Sequence, residues 1–251
     1  MRTVGPTDVA ATSFTSTYKW DYRSVLGKLN FLEKSTRPDI AYATHQCARF
    51  LIDPKQSHGM AVKHIGRYLL GARNLGLIIR PTKMDSFECY VDADFMGNWD
   101  RSIAERDPNT AKSRYGFLVK YAGVPIYWQS KLQTMIALST TESEYIGLSH
   151  ATRYVKDTMY LLEEINEKIT KVITTPTFHC KIFEDNAAAL EIAKVPKMRP
   201  RTRHINCVYH HFRHEVENGR IKILPIPTKD QQADFLDSVS FKRHRKSIQG
   251  W

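Results

Sequence analysis

Tyr90-Val91-Asp92-Ala93-Asp94 and, further along, Leu138-Ser139-Thr140-Thr141-Glu142-Ser143-Glu144-Tyr145 decide how this chain is read. The first segment reads as the end of a strand that runs out onto acids. The second sets hydroxyl side chains ahead of a long apolar-periodic run, which is how a helix begins. Outward from the first lie short apolar runs at 77–79, 87–91, 117–121 and 126–128, separated by Gly and Pro, with Gly123-Val124-Pro125 turning the third into the fourth. Outward from the second comes a helix over 141–168, a strand over 178–183, a helix over 187–193 and a basic helix over 205–218. A strand over 221–224 and a last helix over 231–236 complete the order. A meander followed by strands alternating with helices predicts an α/β fold, a mixed sheet flanked by helices.

Ahead of this unit the period is helical. Tyr22, Val25, Leu26, Leu29 and Leu32 form one apolar stripe. Pro38 suits the first turn of a second helix carrying Ile40, Ala43, Cys47 and Leu51. Ser57 is placed to cap a third, with Ile65, Tyr68 and Leu69, and Gly71 to stop it. The predicted organisation is a disordered lead-in (1–20), a small all-helical unit (21–75), the α/β domain (76–240) and a basic tail (241–251), with 101–112 a polar loop.

The 251 residues carry 37 Lys and Arg against 26 Asp and Glu, a net charge of +11. Such an excess favours a polyanionic partner, most often nucleic acid. No apolar stretch approaches the roughly 18 residues of a membrane span, and the first 20 residues lack the apolar core of a secretory signal. Cys47, Cys89, Cys180 and Cys207 are far apart and make no close pair, so neither a disulfide framework nor a structural zinc site is expected. The expected setting is intracellular.

Four acids fall at element ends: Asp92 after a strand, Glu144 in the first turn of the long helix, Asp185 after another strand and Asp234 near the last helix. If those strands are neighbours, the carboxylates meet at one edge of the sheet. Such a cluster calls for divalent cations, and hard oxygen donors suit Mg2+ or Mn2+. Two ions about 4 Å apart would serve phosphodiester cleavage. Each acid also has a structural reading: Glu144 in a capping box with Thr141, Asp185 as a helix cap, Asp234 as a solvated acid.

Between Lys194 and Lys222 stand eight Lys or Arg against Glu215 and Glu217, with four histidines besides. A helix presenting Arg203, His204, His210 and Arg213 would lie along a phosphate backbone. Trp128 and Lys131 could set an aromatic face and a cation beside the substrate, against the commoner fate of a strand tryptophan, which is burial. Cys207, His210, His211 and His214 supply one thiolate and no second cluster, a poor zinc set.

These residues, in this order, resemble a known family. Asp21-Tyr22-Arg23-Ser24-Val25-Leu26-Gly27, Thr36-Arg37-Pro38-Asp39-Ile40-Ala41 and His64-Ile65-Gly66-Arg67-Tyr68-Leu69 look like the segment after the reverse transcriptase palm in copia-type long-terminal-repeat retrotransposon Pol polyproteins. Ala137 to Tyr145 is similar to that family's RNase H glutamate motif. Glu184-Asp185-Asn186, Arg203-His204-Ile205 and Gln232-Ala233-Asp234 follow in the family's order.

The resemblance implies an RNase H-like fold behind a thumb- or connection-like helical unit, and a quartet of Asp92, Glu144, Asp185 and Asp234 holding two Mg2+ or Mn2+ ions. It places Asp92 and Asp185 on the attacking-water side and Asp92 and Glu144 on the leaving-oxygen side, with Asp234 helping to seat the first ion. The implied reaction is hydrolysis of the RNA strand of an RNA–DNA hybrid. The polymerase palm would lie upstream, and Tyr90-Val91-Asp92-Ala93 falls too late in the chain to be a polymerase motif. The chain departs from the family at Phe95-Met96-Gly97, where Trp-Ala-Gly is usual, and at Asp237-Ser238, where Thr-Lys is usual. The alternative is a catalytically inactive relic that only binds nucleic acid.

Overall fold

A computed structural model describes residues 13–14, 18–82, 86–102, 104–105, 107–170, 178–194 and 212–237. Three helices come first: α1 (Tyr22–Ser35), α2 (Ala41–Ala48) and α3 (Gln56–Gly71). Then come β1 (Phe87–Ala93), β2 (Arg114–Tyr121), β3 (Val124–Leu132) and the long α4 (Thr140–Ile165). β4 (Cys180–Glu184), α5 (Ala187–Lys194), α6 (Arg213–Glu217), β5 (Ile221–Pro225) and the one-turn α7 (Asp234–Asp237) follow.

The strands form one five-stranded sheet in the order β3-β2-β1-β4-β5. β1, β2 and β3 are an antiparallel meander, and β4 and β5 add in parallel beyond β1. Parallel pairing of β1 with β4 requires a crossover, which α4 supplies by packing across the sheet. The turn between β2 and β3 is made by Ala122 and Gly123, both at positive φ, which matches the twist of the flanking strands. It therefore sits one residue earlier than the sequence reading placed it. Pro125 lies inside β3, which tolerates it as an edge strand, and the register with β2 shifts beside it. The apolar triplet Leu77-Ile78-Ile79, expected as a strand, is irregular. Leu77 packs against the second core, but Ile78 and Ile79 are 53% and 76% exposed and pair with no strand, so the triplet does not extend the sheet.

Alternation along the strands builds two cores. Phe87, Cys89, Val91, Tyr115, Phe117 and Val119 face α4, against Tyr145, Leu148, Val155 and Met159. Tyr90, Leu118 and Trp128 point the other way, against Phe235, Leu236 and Ala41. Ala41 starts α2, so the helical unit is not a separate bead. It covers the second face of the sheet. Trp128 is 6% exposed and its indole N–H donates to the Glu33 carbonyl at 2.8 Å. The Trp128 expectation is corrected accordingly: it is a core residue and is not presented to nucleic acid.

Inside the helical unit, Arg37 pairs with Asp39 at 2.7 Å, Tyr68 donates to Asp39 at 2.8 Å and Arg37 donates to the Ala72 carbonyl at 3.1 Å. This buried network pins the start of α2 to the end of α3. Phe14 is buried against Tyr18, Trp20 and Tyr22, so part of the expected lead-in is packed. Cys47, Cys89 and Cys180 are free and buried. Among the described residues no helix is long and apolar enough to cross a membrane.

Gly116 of β2 is where α7 comes closest to the sheet. A Cβ there would run into the Leu236 side chain and stand 3.2 Å from the Asp237 amide nitrogen, which is backbone and cannot swing aside. Gly116→Ala is expected to destabilise the fold by about 1–3 kcal/mol, read by urea unfolding. An unchanged midpoint would mean that α7 is not held tightly.

Candidate active site

All four predicted acids arrive at the C-terminal ends of β1 and β4. Asp92 sits near the end of β1, opposite Gly116. Asp185 follows β4 directly, and Asp234 opens α7. Glu144 lies in the first turns of α4, and its structural alternative fails on geometry. Ser139 is the N-cap, accepting from the Glu142 amide at 3.2 Å, and Glu142 closes the box by accepting from the Leu138 amide at 2.8 Å. The capping therefore belongs to Glu142, two residues earlier, and Glu144 turns inward. Asp185 is likewise relieved of capping, because Asn186 accepts from the amides of Ala188 and Ala189 at 3.0 Å each. Asp185 instead accepts the Thr228 hydroxyl at 2.8 Å.

Carboxylate oxygens of Asp92, Glu144 and Asp185 all lie within 4.8 Å of one another. Asp234 stands outside this trio, within electrostatic reach of Asp92. Burial pushes the Asp92 carboxyl well above its ordinary range, and the nearby charges of Asp237, Glu144 and Asp234 push it further. Burial does the same to Glu144, helped by Glu184, Asp185 and Asp237. Glu144 Oε2 is buried and finds no hydrogen-bond partner. Buried carboxylate oxygens with nothing to neutralise them are costly, and hard divalent cations satisfy that donor set.

Three acids that the sequence reading did not single out complete the cluster. Asp94 accepts from the Arg114 amide and is pushed up to about 6 by burial. Glu184 is buried at the end of β4 and is pushed up to about 8, also by burial. Asp237 ends α7 against Asp92. For Asp94 and Asp237 the signal was available as i+2 and i+3 spacing from Asp92 and Asp234, which returns a side chain to the same face of a strand and of a helical turn.

Arg203, His204, His210 and the tail 241–251 lie outside the described residues. Arg213 is half-buried at the start of α6 and donates to the Ile192 carbonyl at 3.2 Å, joining α6 to α5. Lys131 is exposed on the edge strand β3. Among the described residues, the tryptophan most open to solvent is Trp99, 49% exposed. It stands on the turn after β1 and its amide donates to Met96 at 2.8 Å.

Strand order, crossover and acid placement together define an RNase H-like domain behind a helical unit. The chain is 32% identical over 216 residues to the retrovirus-related Pol polyprotein from transposon RE1 of Arabidopsis thaliana, covering 86% of this chain and 14% of that protein. It is 35% identical over 224 residues to the one from transposon TNT 1-94 of Nicotiana tabacum, covering 88% and 15%. Over most of its length the chain is similar to retrovirus-related Pol polyproteins from transposons. It spans about one-seventh of the length of these relatives. No family model matches it. Among solved structures, the N-terminal RNase H domain of a Mycobacterium tuberculosis protein aligns over 64% of this chain and 97% of that one. That alignment has 14% identity and a TM-score of 0.40, so the fold assignment rests on the strand order instead.

Proposed function

We propose that the chain is an RNase H-type ribonuclease that hydrolyses the RNA strand of RNA–DNA hybrids, as the nuclease portion of a retrotransposon Pol protein. One observation carries the reading: Asp92, Glu144 and Asp185, drawn from β1, α4 and the end of β4, present oxygens within 4.8 Å of one another. Structural roles that would otherwise account for Glu144 and Asp185 are taken by Glu142 and Asn186.

Asp92, Glu144, Asp185 and Asp234 would hold two Mg2+ or Mn2+ ions. Bound there, the ions supply water activation on one side of the scissile phosphate and stabilisation of the leaving oxygen on the other. Asp92 lies between Glu144 and Asp234 and is the natural shared ligand. The rest of the chain keeps these acids rigid: β1 and β4 are paired neighbours, α4 packs across β1, and α7 is pressed onto β2 at Gly116. Exposed Trp99 and Lys131 are available to the hybrid from the described surface, and the sequence adds a strongly basic stretch over 194–222. The upstream polymerase palm of the same polyprotein is the proposed intramolecular partner, and the setting is intracellular.

The test is incubation of the full chain with an end-labelled uniform RNA–DNA hybrid, with single-stranded RNA and DNA duplex as controls. The expected result is cleavage of the RNA strand of the hybrid alone, dependent on Mg2+ or Mn2+ and stopped by chelator. Salt-sensitive hybrid binding with no cleavage in either metal would overturn the enzyme reading in favour of a binding-only relic.

A further inference from the structure

Asp237 is not among the four acids carried by the family motif, and it stands where the family usually has threonine. It is 3% exposed, and its Oδ1 is buried with no hydrogen-bond partner. Its amide stands beside Gly116, the cross-strand partner of Asp92, and its carboxyl lies within electrostatic reach of Asp92, Asp94 and Asp234. Arg114 is buried within electrostatic reach of Asp237, but its contacts are to the Ser130 hydroxyl at 3.1 Å and to the face of Tyr42 at 5.3 Å. Asp237 makes no ion pair within 4 Å among the described residues.

An acid whose role was to hold the fold together would have both oxygens bonded or a cation in contact. Asp237 has neither, and burial among like charges weakens the metal-free fold. Its backbone is fixed all the same, because α7 is pressed against Gly116. A rigid carboxyl beside the central acid of the cluster needs a proton or a cation to compensate it, and a bound cation takes the proton's place.

We propose that Asp237 is a positioning residue of the cation site: it orients the carboxylate of Asp92 and adds the negative charge that draws the ion in. This inference rests on the metal-dependent reading above. The test compares the full wild-type chain with Asp237→Asn for Mn2+ binding, measured by electron paramagnetic resonance, and for thermal melting in chelator. The expected result is Mn2+ affinity reduced roughly ten- to hundred-fold, the range seen when groups supporting metal ligands are changed, with a higher metal-free melting temperature. Should Asp237→Asn fail to fold, Asp237→Ser carries the same two measurements. Unchanged affinity in a wild-type chain that does bind Mn2+ would overturn this inference alone. A wild-type chain that binds no Mn2+ would overturn the metal reading and this inference with it.

Discussion

Asp92→Asn is expected to abolish hybrid cleavage, by about a thousand-fold or more, while leaving hybrid binding in chelator within a few-fold of wild type. Asp92 is the acid on which the others converge. Its carboxyl faces Glu144 and Asp185 in the trio, and Asp234 and Asp237 lie within electrostatic reach of it. Asparagine keeps the shape and one oxygen but removes the charge and the second donor oxygen, so a shared ligand can no longer serve two ions. The substitution also relieves like-charge crowding, so the metal-free protein should melt no lower than wild type. That combination separates a lost ligand from a lost fold. A variant as active as the wild type on a labelled hybrid would remove the site from Asp92.

In chelator, unfolding free energy is expected to fall as pH rises from 5 to 8. Glu184 is pushed up to about 8, Asp94 to about 6, and Asp92, Glu144 and Asp237 are raised as well, burial being the first cause in each case. In the unfolded chain these acids release their protons near pH 4. Between that value and the raised folded values the folded form binds more protons, so each step up in pH favours unfolding. Stability is fullest below the unfolded values and is lost as pH climbs through the folded ones, the reverse of an ion-paired aspartate. Saturating Mg2+ should flatten the slope, because a cation replaces the protons. Urea melts at several pH values, with chelator and with Mg2+, decide the matter. Metal-free stability that is level or rising across this range would mean the acids are already compensated.

Much of this was legible from periodicity. The order of strands and helices, and hence the mixed sheet, followed from where a period of two gives way to one of 3.6. The four acids at element ends followed from the same reading. What could not be read was which of two equivalent signals the backbone would use. Ser139-x-x-Glu142 and Thr141-x-x-Glu144 are both capping boxes on paper, and packing of α4 on β1 decides between them. Asp185 and Asn186 are equally good caps, and only the exit direction of β4 assigns the task to Asn186. Trp128 and Trp99 could not be ranked for exposure either. Burial of Trp128 depends on a helical unit arriving from far earlier in the chain to cover the second face, a non-local event that strand alternation does not encode.

The Trp128–Glu33 bond and the seating of Ala41 among Tyr90, Leu118 and Phe235 have a practical corollary for anyone trimming this protein. A fragment begun just ahead of β1 would bare a broad oily underside to water and invite self-association. The natural boundary for a fragment that keeps this sheet covered therefore lies upstream of α1, and removing those helices would also remove the floor beneath the acid cluster.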